Sequence, residues 1–272
     1  MQGKLSNTVY SHGMKYLWSL FALLTLGLPK ASAATSTEPL PPLDQVLQHV
    51  KQVAAMDNVE YHAFNQHYFY TRDRVTEFFD SSGNVKERHE KQSTNSPSPL
   101  QVLLQSQPAA SKTVAPGKQA SAAEPPNVHG IALGKKEDLL NPDIIKRYKF
   151  TLAGREIINR RPALILDFKP VSDDLPVFNL KDRFLNSIAG RAWVDESDYV
   201  LVKADIHLTQ KISVLGGVVG AVSKFNFSFI RERTADGFWF TRDMNWHVEA
   251  REATFPQVVT QRETVSGVQK MQ

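Results

Sequence analysis

Gly190-Arg191-Ala192-Trp193-Val194-Asp195-Glu196-Ser197-Asp198-Tyr199-Val200-Leu201-Val202-Lys203-Ala204-Asp205-Ile206-His207-Leu208 reads as a strand, a turn and a longer strand. Successive side chains on a strand point to opposite faces. Val200, Val202, Ala204, Ile206 and Leu208 therefore share one face, and Leu201, Lys203, Asp205, His207 and Thr209 the other. Asp195-Glu196-Ser197-Asp198 supplies the short polar side chains that fold back on their own backbone in turns. An apolar row backed by a polar row is the mark of an antiparallel sheet with one covered and one solvated face.

The same grammar extends in both directions. Downstream, Phe225, Phe227 and Phe229 alternate, Ala235-Asp236-Gly237 turns tightly, and Phe238-Trp239-Phe240 returns. Upstream, Tyr148, Phe150 and Leu152 alternate with charged or polar residues, Asn159-Arg160-Arg161-Pro162 turns, and Ala163–Phe168 forms the next strand. Residues 171–189 read as a loop with a short helix over Leu180–Ile188. Val75–Phe79, Asp80-Ser81-Ser82-Gly83-Asn84 and Val85–Glu90 make an earlier hairpin, and the aromatic runs Tyr61–Phe64 and Tyr68–Tyr70 read as β from Asn58 onward. Leu43, Val46, Leu47, Val50, Val53 and Ala54 recur at helical spacing behind Pro41-Pro42, predicting one short amphipathic helix. The expected class is α+β: a curved antiparallel sheet of nine to eleven strands, with two or three short helices covering its apolar side.

The N-terminus says where such a sheet works. Lys15 precedes an uncharged run, Tyr16–Leu28, and Ala31-Ser32-Ala33 follows as a small-residue exit, the pattern of a secretory signal peptide cleaved after Ala33. The run is 13 residues, whereas a span needs about 20. Met14 immediately before Lys15 is an alternative start. Periplasmic export is expected, with full secretion as the alternative. Losing residues 1–33 removes three lysines and no acid, leaving 29 basic and 28 acidic side chains. That balance gives no basic footprint for nucleic acid. The absence of cysteine excludes disulfides, thiolate catalysis, thiolate metal sites and a lipidated N-terminal cysteine.

Residues 34–42 read as a spacer and 43–265 as one domain, followed by a tail at 266–272. Residues 91–130 are dominated by Ser, Ala, Pro and Gln and read as a low-complexity insertion. Within it, Leu100-Gln101-Val102-Leu103-Leu104 is a candidate lid helix.

Three stretches carry a resemblance: Val75–Asp80 with Gly83-Asn84-Val85; Phe150–Glu156 with Asn159–Pro162 and Asp167–Pro170; and Gly190–Asp195 with Tyr199–Lys203. Together they resemble hairpins of the LolA-, LolB- and RseB-like superfamily of periplasmic lipoprotein-carrier-like proteins. The resemblance runs through most of residues 43–265 and implies a half-barrel whose concave side is covered by helices. It also implies binding of lipid or lipoprotein acyl chains, or sensing through another envelope protein, with transient membrane contact at most. The 91–130 insertion departs from the pattern.

No nucleophile elbow, zinc-protease motif, phosphate loop or dinucleotide fingerprint is present, so no catalytic residue, cofactor or metal site is expected. His62 and His67 would face opposite ways on one strand, and Asp173-Asp174 lacks a spaced acidic partner for calcium. Leu215–Gly220 offers Gly216, Gly217 and Gly220 as a hinge at a cavity mouth, or simply as a bend in an apolar connection. Trp193, Val200, Val202, Ile206, Phe225, Phe227 and Phe229 are the candidate apolar cavity wall; each reads first as core, and becomes a ligand wall only if the helices leave the concavity unfilled. A lipid carrier, an envelope interaction module and an enzyme of unrecognised type are the three functions these residues leave open.

Overall fold

The computed structural model describes residues 39–96, 127–128, 131–132, 145–172, 174–214, 220–252 and 254–271. The signal peptide, the Leu100–Leu104 segment, and Gly216 and Gly217 lie outside them. Helix α1 (Leu43–His67) leads into β1 (Tyr68–Phe79) and β2 (Val85–Asn95). A small hairpin follows, β3 (Asn127–Val128) and β4 (Ile131–Ala132), then β5 (Tyr148–Ile158) and β6 (Arg161–Pro170). Helix α2 (Leu180–Leu185) precedes β7 (Ile188–Asp195), β8 (Leu201–Leu208) and β9 (Ile212–Val214). The chain closes with β10 (Gly220–Arg233), β11 (Trp239–Glu252) and β12 (Phe255–Lys270).

Ten of these strands form one open antiparallel sheet, in the order β2-β1-β12-β11-β10-β8-β7-β6-β5 with β9 paired to β10, while β3 and β4 pair with each other. The expected half-barrel class holds. Both helices pack on the same face. The first half of α1 sets Val46 and Val50 against Leu164, Leu166 and Val194, and its second half sets Phe64 among Tyr68, Tyr70, Phe240 and Val265. Helix α2 caps the other flank, where Phe184 and Leu185 meet Ile212, Val222, Phe225, Trp246 and Val248. Each such fully buried apolar side chain contributes about 1.5–3 kcal/mol.

Four boundaries differ from the sequence reading. The stretch Asn58–His67 is helical, because α1 continues for 25 residues. Its buried seam runs Val46, Val50, Val53, Asp57, Tyr61, Phe64; Asp57 meets Arg231 at 2.8 Å and Tyr61 meets Arg72. Two polar residues in the seam hide its period, and side-chain partners across the sheet make them compatible with burial. His62 and His67 accordingly stand on this helix, both exposed. Strand β2 continues through Asn95, five residues into the expected insertion, where the Asn95 amide donates to the carbonyls of Asn65 and Tyr68. The expected tail extends β12 to Lys270, which pairs with Tyr68. The short helix after residue 171 ends at Leu185, and β7 starts at Ile188.

The quoted hairpin is held by three devices. A Cβ on Gly190 would meet the Asp205 carbonyl oxygen at 2.3 Å and the Phe168 ring at 3.0 Å, so only glycine lets the three strands close. Asp195 is buried, accepts a two-pronged bond from Arg161 at 2.6 and 2.8 Å, and receives the amides of Ser197 and Asp198. Burial works against its ionised form, but the Arg161 fork and those amides prevail and hold the carboxyl below the usual aspartate value. Its place in the motif is architectural.

Candidate functional site

Strand register decides which side chains share a surface. On the helix-covered face, one row runs Phe150 (β5), Phe168 (β6), Gly190 (β7), Ile206 (β8), Phe227 (β10) and Trp246 (β11), each paired with the next. It then turns polar through Gln261 (β12), Thr76 (β1) and His89 (β2). Strands lie about 4.8 Å apart, so the apolar part spans about 24 Å. The adjacent row, Leu166, Ala192, Ala204, Phe229 and Met244, likewise ends on charge, at Glu263 and Arg74.

The helices cover the flanks of this floor more completely than its middle. Phe225 is 3% exposed and locked edge-to-face with Phe184 of α2 at 5.0 Å. Phe150, Phe168, Ile206, Phe227 and Phe229 remain half-buried. Trp246 is buried, and its indole Nε1 finds no acceptor among the described residues. A buried N–H without a partner costs about 1–3 kcal/mol, so it calls for an acceptor.

Beyond the polar turn sits a buried charge cluster. Glu263 is 4% exposed and holds Arg72 Nε at 3.2 Å and Arg74 Nη2 at 2.7 Å. Arg72 also donates to the Tyr61 hydroxyl, and the Tyr70 hydroxyl donates to Asn65 Oδ1 at 2.6 Å. Burial pushes the Tyr70 phenol well above its ordinary value, so it remains a neutral donor. Sequence reading did not find this cluster, since Arg72 and Glu263 are far apart in the chain and each looks like a solvated strand charge.

The candidate wall residues divide. Ile206, Phe225, Phe227 and Phe229 lie together on the helix-covered face. Val200 and Val202 are buried with Trp193 and Trp239 in a separate cluster, against which Val53 of α1 packs. Trp193 pairs with Ile165 and Lys203, which puts it on the face opposite Ala204 and Phe229. There its indole donates to Glu156 at 2.6 Å, and Lys203 Nζ sits 3.9 Å from the ring centroid. Gly220 opens β10 as a paired strand residue, and a Cβ there would meet the Arg251 carbonyl oxygen at 2.9 Å.

The helix-free face is chemically different. It carries an open depression of about 820 Å³ whose floor includes Asp205, His207, Asn226, Ser228, His247 and Thr260. His247 contacts Glu249 at 3.0 Å, which also takes Lys224. No group of three or more His, Asp or Glu side chains among the described residues could hold a metal ion.

No family model and no curated protein matches the sequence. Among solved structures the chain is similar to LolA-superfamily proteins and to MucB. One match is a domain assigned to outer membrane lipoprotein sorting from Vibrio parahaemolyticus, at 9% identity and TM-score 0.33, covering 83% of this chain and 93% of that one. Another is a LolA superfamily protein from Nitrosomonas europaea, at 9% identity and TM-score 0.30, covering 86% and 95%. A third is the Pseudomonas aeruginosa MucA/MucB complex, at 11% identity and TM-score 0.26, covering 82% and 94%. Likeness at this level says nothing about ligand or partner.

Proposed function

We propose that this chain is an exported, non-enzymatic carrier that holds an acyl chain of a lipid or lipoprotein along the Phe150-to-Trp246 row. The observation that supports it most is the polarity gradient of that row: half-buried apolar side chains on β5 to β10, a buried indole N–H on β11 without an acceptor among the described residues, and Gln261 and Thr76 beyond. A single-headed amphiphile has the same gradient. Its tail would lie across Phe168, Ile206 and Phe227, its ester or carboxyl oxygen would accept from Trp246 Nε1, and its head would meet the Gln261 side.

The energetics suit a carrier. Each methylene removed from water contributes about 0.8 kcal/mol, so a dozen give about 10 kcal/mol before the cost of ordering the chain. The residues of the row offer no nucleophile, base or metal ligand set with which to alter the cargo.

Residues 34–272, expressed in a bacterial periplasm and purified natively, are expected to yield near-stoichiometric phospholipid or fatty acid by lipid mass spectrometry. A lipid-free protein that also rejects fluorescent fatty acid would overturn the reading in favour of a protein-binding module.

A further inference from the structure

Beyond holding a lipid, the chain has a rim suited to meeting a lipid surface. The pairs Tyr148–Pro170, Ile188–Leu208, Gly220–Glu252 and Phe79–Val85 place one set of strand termini at a common end of the sheet. Large hydrophobic side chains are left in solvent there: Val171, Val177 and Phe178 on the loop after β6, Phe255 at the start of β12 and Val85 at the start of β2. Phe178 is 85% exposed and Phe255 72%. Single exposed hydrophobics such as Val85 and Phe255 are ordinary, but Val171, Val177 and Phe178 lie on one loop and together mark a contact surface.

The Phe178 loop is braced rather than loose. Asn186 Nδ2 donates to the carbonyls of Leu175 and Pro176, at 3.1 and 3.3 Å, and Arg147 reaches Pro176 as well. The Phe178 amide donates to Asp182 Oδ2, and the Val171 amide to the Arg147 carbonyl. The aromatic tip is thus held out in water by a scaffold of side-chain bonds, so little ordering cost remains when it is buried.

Charge names the partner. Lys149 and Lys169 stand directly opposite each other on β5 and β6, one register step from this rim. Like charges in that position are destabilising unless an anion lies between or beyond them. The nearby acids are committed: Asp182 to Arg147 and to the Phe178 amide, Asp167 to Arg191. Asp174 is the exposed acid of the loop. We infer that the loop carrying Val171, Val177 and Phe178 is a reversible docking surface for an anionic lipid bilayer, with Phe178 inserted among the acyl chains and Lys149 and Lys169 at the headgroups. An apolar tip and lysines at the same end of a sheet can be met together by one anionic interface, the tip among the chains and the ammonium groups at the headgroups. Among the described residues no helix is long and apolar enough to cross a membrane, so the contact is peripheral. This proposal adds to the carrier reading and can fail separately from it.

The test is sedimentation of residues 34–272 with vesicles of phosphatidylcholine alone or with added phosphatidylglycerol. Wild type is compared with Phe178→Ser and with the double variant Lys149→Gln/Lys169→Gln. Binding is expected only with the anionic vesicles and is expected to weaken about tenfold in either variant. Phe178→Trp should show a blue-shifted emission on adding the same vesicles. Failure of wild type to sediment with either vesicle, or unchanged binding in both variants, would overturn the proposal. So would a concentration-dependent dimer that Phe178→Ser dissolves, because a second copy would then cover the rim. Phe178→Ser protein that keeps its co-purified lipid while losing vesicle binding would separate docking from carriage.

Discussion

Asn226 and Phe227 are neighbours in the chain and belong to different chemical worlds. Phe227 joins Phe168, Ile206 and Trp246 on the helix-covered face; Asn226 joins His207, His247 and Thr260 on the open one. One backbone supports both rows, so a single step along β10 converts a surface for methylenes into a surface for water. The two faces differ in degree: the outer one is mainly polar, with Trp193, Ile165, Val75 and Phe79 as apolar members, while on the inner one the helices bury the flanks and the central aromatic strip stays half-buried.

Substitutions across the two faces of the sheet should separate them in graded steps. Phe225→Ala, which removes the ring gripped by Phe184, should cost about 4 kcal/mol in chemical denaturation. Glu263→Ala leaves Arg72 and Arg74 without their shared carboxylate in a buried site and should cost about 3 kcal/mol, read as a fall in thermal midpoint. Gly190→Ala drives a Cβ against the backbone of β8 and should cost about 2 kcal/mol, while the same change at an exposed open-face position should not. Asn226→Ala and Ser228→Ala should stay within about 0.5 kcal/mol of wild type.

Acid offers a further probe at the turn that joins β7 to β8. The folded-state pKa of Asp195 is lowered, so its contribution is fully present above the unfolded aspartate value of about 3.9 and is lost as pH falls through the folded value. Asp195→Asn should therefore lower stability at neutral pH and flatten the decline seen below about pH 4 in urea titrations at stepped pH.

Much of this was legible. Alternation placed Ile206, Phe225, Phe227 and Phe229 on one face, and Asp195–Asp198 and Ala235–Gly237 marked their turns. What escaped did so for physical reasons. Helix α1 was cut short because Asp57 and Tyr61 occupy its seam, and only their partners Arg231 and Arg72 explain them. The aromatic run Tyr61–Phe64 favours strand by intrinsic propensity, and packing of Phe64 against Phe240 overrode it. Unbroken alternation puts Val200 and Val202 in one row with Ala204 and Ile206, but Trp193 pairs with Lys203 and Val194 with Leu201, so an extra residue at Val202 breaks the row and the two valines pack with Trp193 instead. The Arg72–Glu263–Arg74 cluster needed tertiary register, which no local pattern carries. The function of the inner face was legible only as a choice between core and ligand wall.

The most direct test sets the two faces against each other. Binding of a fluorescent fatty acid would be titrated for wild type, Phe227→Asn and Asn226→Ala, with circular dichroism confirming that all three are folded. The acyl-carrier account predicts that Phe227→Asn loses at least about tenfold in affinity, roughly 1.4 kcal/mol of apolar contact, while Asn226→Ala binds as wild type does. Equal binding by all three folded proteins would take the ligand off the Phe227 row, and loss confined to Asn226→Ala would place it on the open face; either result would contradict the account.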